Sequence, residues 1–135
     1  MDEFDQGDQL DPRLNAISSA VIGAAIEVHR ELGPGHEESA YQKAMEVELA
    51  ARGMSFVRQC PIELTYKGHV VGSGRLDFLV ENAVVVEIKS VEKIGRVHFQ
   101  QVLSYLRVTR FKLGLLINFN VSKLVDGVSR VATSR

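Results

Sequence analysis

The segment Val84-Val85-Val86-Glu87-Ile88-Lys89 constrains this chain more than any other. Three consecutive valines leave no polar face, so the segment begins as a strand covered on both sides rather than one lying against solvent. Its end is different. Glu87 and Lys89 leave an extended chain on one side, while Val86 and Ile88 point the other way. Burying an unpaired carboxylate or ammonium costs on the order of several kcal/mol, so the strand either ends in an ion pair where it frays or emerges into a polar cleft.

A strand covered on both faces needs helices above and below it. Leu14, Ile17, Val21, Ala24, Ala25 and Val28 recur at spacings of three and four behind Pro12, which predicts an amphipathic helix ending near Leu32. Gly33-Pro34-Gly35 breaks it. A second helix is predicted from Glu37 or Glu38 to Arg52, with Tyr41, Met45 and Leu49 on one stripe. The period then becomes extended: Phe56 to Tyr66 reads as a strand, Lys67-Gly68 as a turn, and His69 to Val71 as the start of the return. Gly72-Ser73-Gly74 marks a bend or bulge before Arg75 to Val80. Gly95 to Val108 is helical, and Phe111 to Phe119 is a second buried strand. The order is ααβββαβ with a frayed end, an α/β (α+β) fold whose central sheet becomes mixed when the last strand returns after its helix.

At 135 residues, with 45% hydrophobic side chains, the chain carries one domain. Residues 12–135 are assigned to it and residues 1–11, with five acids and no base, to a disordered acidic tail. The single cysteine, Cys60, excludes an internal disulfide and any zinc site built of several cysteines. No apolar run is long enough to span a bilayer and the acidic start is unlike a signal peptide, so a cytoplasmic protein with no membrane partner is expected. Lys93, Arg96, Arg107, Arg110 and Lys112 fall in a stretch without an acid, which is either a solvated helix face or a surface for phosphates.

Asp77 joins Glu87 and Lys89 under a geometric condition. If residues 81 to 83 form a three-residue loop, Val80 pairs with Val84 and Asp77 stands opposite Glu87, with Lys89 on the same face. A two-residue turn would pair Asp77 with Val86 and split the group across the sheet. Arg75 shares the Asp77 face in this alternation, as a phosphate contact or as the counterion. Two adjacent carboxylates raise each other's pKa unless a cation lies between them, and oxygen ligands without soft donors suit Mg²⁺ or Mn²⁺. Such an ion would acidify a water and offset charge in phosphodiester hydrolysis, with Lys89 stabilising that charge.

The spacing Asp77…Glu87-Ile88-Lys89 resembles the core of the PD-(D/E)XK nucleases, with Leu76 in place of the usual proline. The surrounding chain is similar to the GxxExxY proteins of that superfamily: Gly35-His36-Glu37-Glu38-Ser39-Ala40-Tyr41 carries the naming motif. The match continues through Gln59, Pro61, Tyr66-Lys67-Gly68, Gln101, Tyr105-Leu106 and Gly114 to Phe119. The resemblance implies a restriction-endonuclease-like core and a metal-dependent nuclease acting on nucleic acid, with Mg²⁺ or Mn²⁺ as cofactor and DNA as the expected substrate. It implies Asp77, Glu87 and, from the second helix, Glu38 as metal ligands, with Lys89 and Gln101 completing the catalytic set. Tyr105, four residues after Gln101 on the same helical face, completes a Q-x-x-x-Y element and is a substrate-side candidate, as are Arg75 and Tyr41. Each retains a plainer reading: Glu38 complements the helix dipole, Tyr41 packs, and Gln101 is a surface glutamine. His36-Glu37-Glu38 lacks the second histidine of a zinc protease helix, since position 40 is Ala40. The rival function is a nucleic-acid-binding or partner-binding module that keeps the nuclease fold without catalysis. So short a domain leaves little room for a target-recognition element, which makes a homodimer a further expectation.

Overall fold

The structure, a computed structural model, describes residues 11–133. The acidic tail expected over residues 1–11 lies outside the described residues except for Asp11, which belongs to the fold. Its carboxylate accepts the Arg13 amide at 2.7 Å and caps helix α1 (Pro12–Leu32), with Pro12 in the first turn where no amide is needed. Helix α2 (Glu38–Ala51) follows the Gly33-Pro34-Gly35 break, and Gly33 and Gly35 have φ of 69° and 99° there.

Strands β1 (Phe56–Tyr66), β2 (His69–Val80) and β3 (Val84–Lys89) form an antiparallel meander. Helix α3 (Arg96–Thr109) carries the chain to β4 (Leu113–Asn118), parallel to β3. The sheet is mixed, five-stranded and ordered β1-β2-β3-β4-β5. Alternate residues of β3 feed two cores. Val84, Val86 and Ile88 join the stripe of α1 and Tyr41, Met45 and Leu49 of α2, whereas Val85 joins Val102, Leu103 and Leu106 of α3. The triple valine therefore reflects a central strand with helices on both faces. Gly114 sets how closely α3 approaches, since a Cβ there would lie 2.7 Å from a Val102 methyl carbon.

Two features differ from expectation. The Gly72-Ser73-Gly74 run stays within β2; the bulge precedes it, where Leu64 pairs with Gly72 but Thr65 with Val70, leaving Val71 extra. The end of the chain does not fray over its described part. A 3₁₀ turn at Leu124–Gly127 leads into β5 (Val128–Ala132), antiparallel to β4. This strand is short and carries one polar residue on each face, Ser129 and Arg130, so its pattern is weak; its register is fixed by β4 and by Gly127, whose Cβ would collide with the Asn118 carbonyl. No helix among the described residues is long and apolar enough to cross a membrane.

Candidate active site

The ladder between β2 and β3 runs through Val80↔Val84, Leu79↔Val85 and Phe78↔Val86 and then stops. The connection is a three-residue loop in which Glu81 and Asn82 take φ of 53° and 51°. Past Phe78 and Val86, β2 pairs only with β1, while β3 continues beside β4 to Lys89↔Asn118. The strands fork. Asp77 and Glu87 are the first residues on either side of that fork.

Their carboxylates bridge the gap the ladder leaves. Glu87 Oε2 accepts the Asp77 amide at 2.8 Å, and Asp77 Oδ2 accepts the Ile88 amide at 2.7 Å. Each acid thus tethers the opposite strand with one oxygen. Asp77 Oδ1 and Glu87 Oε1 have no hydrogen-bond donor among the described residues.

Glu87 is only 3% exposed. Burial, and next the charge of Asp77, push its carboxyl up to about 8. Asp77 is raised as well: burial dominates, the Ile88 hydrogen bond opposes it, Glu38 adds to it, and Lys89 and Arg58 oppose it. Lys89 is half-buried and lowers both acids by its charge, although no ion pair within 4.0 Å holds it among the described residues. The cluster is acid-rich and short of cations at contact distance.

From the other side, α3 brings Tyr105 and Gln101. Burial and then the charges of Glu87 and Asp77 raise the Tyr105 phenol, and a hydrogen bond from Gln101 opposes that rise. Tyr105 lies across β2, with Cε1 and Oη both 3.4 Å from where a Cβ of Gly74 would stand. A glycine at that strand position is what lets the ring reach the fork.

The other expected residues are placed differently. Glu38, in the first turn of α2, raises both acids through its charge. It does not stand with them as a third ligand, since no three acid, histidine or cysteine side chains among the described residues are grouped to hold an ion. Tyr41 is fully buried; its hydroxyl donates to the Gly33 carbonyl at 2.5 Å and accepts the His36 amide at 3.2 Å, and its ring stacks on Phe119. Of the two roles open to it, packing is the one it occupies, and it has no surface for substrate. Arg75 is exposed and does not figure among the charges acting on Asp77; Arg58 does.

Arg58 was not legible as a site residue, and Gln59 entered only as one position of the resemblance, without a role. Arg58 is held by Glu46 at 2.9 Å. Gln59 stands opposite Asp77, between the pairs Arg58↔Phe78 and Cys60↔Leu76, with φ of 55° in the middle of a strand. Its amide donates to Gln42, and Gln42 donates to Glu38, at 3.4 and 3.3 Å. This relay joins the fork to α2. The alternation breaks here: Phe78 belongs to the core under α1 and α2, yet Leu76 belongs to the core under α3. A backbone reversal of this kind leaves no trace in a hydrophobic pattern.

The donor set fits a hard divalent cation. Glu87 is buried and raised by the charge of half-buried Asp77, and among the described residues each acid keeps one oxygen without a donor.

A mixed sheet between helices, forking at Asp77 and Glu87 with Lys89 two residues on, defines a restriction-endonuclease-like nuclease core. A family model described as the PD-(D/E)XK nuclease superfamily matches residues 15–131, and the chain belongs to that superfamily. Among curated proteins, none matches the chain.

Proposed function

We propose that the protein is a Mg²⁺- or Mn²⁺-dependent nuclease that hydrolyses phosphodiester bonds in DNA, and that it falls in the GxxExxY branch of its superfamily. The observation that carries this reading is the paired exchange at the fork, where buried Glu87 and half-buried Asp77 each present one oxygen without a donor among the described residues. The motif series from Gly35 to Tyr41 and on to Phe119 supports the branch.

Asp77 and Glu87 would hold the ion, with Glu38, whose charge already reaches both acids, as the third acidic residue of the set. The ion supplies Lewis-acid charge against the phosphate and lowers the pKa of a water. Lys89, within the field of both carboxylates and without a close ion pair among the described residues, orients the nucleophile and offsets charge growing on the phosphate. Gln101 fixes the Tyr105 phenol, which donates to a phosphate oxygen, and Tyr105 keeps its proton because burial, and after it the neighbouring carboxylates, raise it. Arg96, Gln100, Ser104 and Arg107 form an exposed stripe along α3 that binds the sugar-phosphate backbone. Arg75 at the exposed side of β2 contributes a further phosphate contact.

The test incubates purified protein with DNA and RNA in Mg²⁺ or Mn²⁺, beside Asp77→Ala and Lys89→Ala. Metal-dependent cleavage of DNA that both substitutions abolish supports the reading. Salt-sensitive binding without cleavage assigns the chain to the non-catalytic alternative.

A further inference from the structure

We propose that the β1–β2 hairpin beyond the fork is an arm that lies in a groove of double-stranded nucleic acid, which makes a duplex the substrate at Asp77 and Glu87; this rests on the nuclease reading above. β2 pairs with β3 only from Phe78 to Val80, whereas it pairs with β1 as far as Tyr66↔His69. From Asp77 to the tip the two strands run without a third beside them among the described residues, a reach of about 26 Å at ~3.3 Å per residue.

The base of this arm is built into the site. Cys60, Ile62 and Leu76 pack with the core under α3, and Gly74 lies against Tyr105. Past that point, every residue from Leu64 to Val71 is exposed, including Leu64, Val70, Val71 and Tyr66 at 62%. A lone two-stranded ribbon gains little from its own packing in water. Yet its shape is defined: Lys67 and Gly68, at φ of 50° and 81°, make a two-residue turn, and the Val71 bulge increases the local twist.

Charge and position select nucleic acid as that partner. Between Pro61 and Arg75, Glu63 is the one acid against Lys67 and Arg75. The Lys67 ammonium rests 5.4 Å from the centroid of the Tyr66 ring, so cation and aromatic are presented together at the tip. Because the arm begins at the fork, a phosphodiester held there continues alongside it. A two-stranded ribbon fits a major groove about 12 Å wide, where Val and Leu methyls meet thymine methyls and Lys67 reaches the flanking phosphates. A single strand offers no groove to fill.

The test is fluorescence anisotropy in Ca²⁺ with a short labelled DNA duplex and with one of its strands alone. Two variants are compared with the wild type: one with residues 65–71 replaced by Asn-Gly, and the double substitution Tyr66→Ala/Lys67→Ala, which leaves the hairpin intact should the shorter arm fail to fold. Loss of about tenfold in the preference for duplex over single strand, with the slope of log affinity against log salt reduced by about 1 for the Lys67 change, supports the arm. An unchanged preference in the double variant overturns it. So does a change from dimer to monomer in sedimentation with duplex preference intact, which would assign the arm to a second copy of the chain. A wild type that cleaves DNA but binds both forms equally overturns the arm alone; one that binds neither form overturns the nuclease reading with it.

Discussion

Asp77 and Glu87 each hold the strand that carries the other: the Glu87 carboxylate accepts the Asp77 amide at 2.8 Å and the Asp77 carboxylate accepts the Ile88 amide at 2.7 Å. The pair is both a clasp across the fork and the source of its unsatisfied negative charge. Its structural and chemical roles are separable, because an amide oxygen can accept the same backbone proton without carrying charge.

Glu87→Gln uses that difference. The amide can keep the bond to Asp77 and cannot ionise, so the metal-free variant should gain stability over wild type as pH rises from 4.5 to about 8 and keep that margin above it. Cleavage and Mg²⁺ affinity should both fall about a hundredfold or more, since half of the anionic donor set is gone. Urea unfolding beside kcat/KM measures the two effects. A variant that loses stability while keeping activity would contradict the assignment.

The pH dependence of stability follows from the same group. Below 4.5 the Glu87 carboxyl is protonated in folded and unfolded chains alike, and its burial carries no penalty. Between 4.5 and about 8 the unfolded chain ionises while the folded one retains its proton, so stability falls as pH rises, by on the order of a few kcal/mol in total. Added Mg²⁺ should remove most of that fall. At neutral pH it should also release protons on binding, read as a calorimetric heat that varies with the ionisation heat of the buffer. Denaturation curves that stay flat over this range without metal would show that the acids are not buried as the fold places them.

Lys89 makes no close ion pair among the described residues, yet its charge lowers both acids. Lys89→Met should therefore shift unfolding free energy by less than about 1 kcal/mol at neutral pH. It should raise the pH at which Mg²⁺ binding is half complete, because both carboxyls then hold their protons more firmly. Cleavage should drop by about 10² to 10³, the scale for removing one stabilising group from a developing anion. Unchanged cleavage beside a large stability loss would make Lys89 structural.

The reach of the sequence differs from residue to residue. Three valines before Glu87 required a strand covered on both sides, and β3 is such a strand. The condition placed on residues 81 to 83 was local, a choice between two loop lengths, and the observed Val80↔Val84 pair selects the longer one. Arg58 and Gln59 were hidden for a physical reason. Their placement depends on one residue at positive φ inside a strand, and side-chain alternation assumes that no such residue exists. The same reversal explains Arg75, expected beside Asp77 by parity and exposed instead. Tyr41 was ambiguous because a helix stripe does not distinguish an aromatic facing a cleft from one facing the core.

Tyr41→Phe separates those two roles. The ring and its stacking on Phe119 remain, but the Gly33 carbonyl and the His36 amide lose their partner. Stability should fall by about 1 to 2 kcal/mol, with KM for DNA unchanged. A raised KM at wild-type stability would return Tyr41 to the substrate.

Gln59 concentrates the relation between strain and function. A non-glycine residue at φ of 55° in a strand costs on the order of 1 kcal/mol, a strain the fold retains at the step opposite Asp77. Its side chain also begins the relay through Gln42 to Glu38. Gln59→Gly relieves the backbone and severs the relay, so it should raise the unfolding midpoint while lowering cleavage severalfold. Gln59→Asn tolerates the same backbone region but is one methylene shorter, so it should keep the stability and still lose the relay. If the two variants differ in stability alone and cleave as wild type does, the bend serves only to turn β2 from one core to the other. If both cleave slowly at unimpaired stability, the strain persists because it sets the position of Glu38.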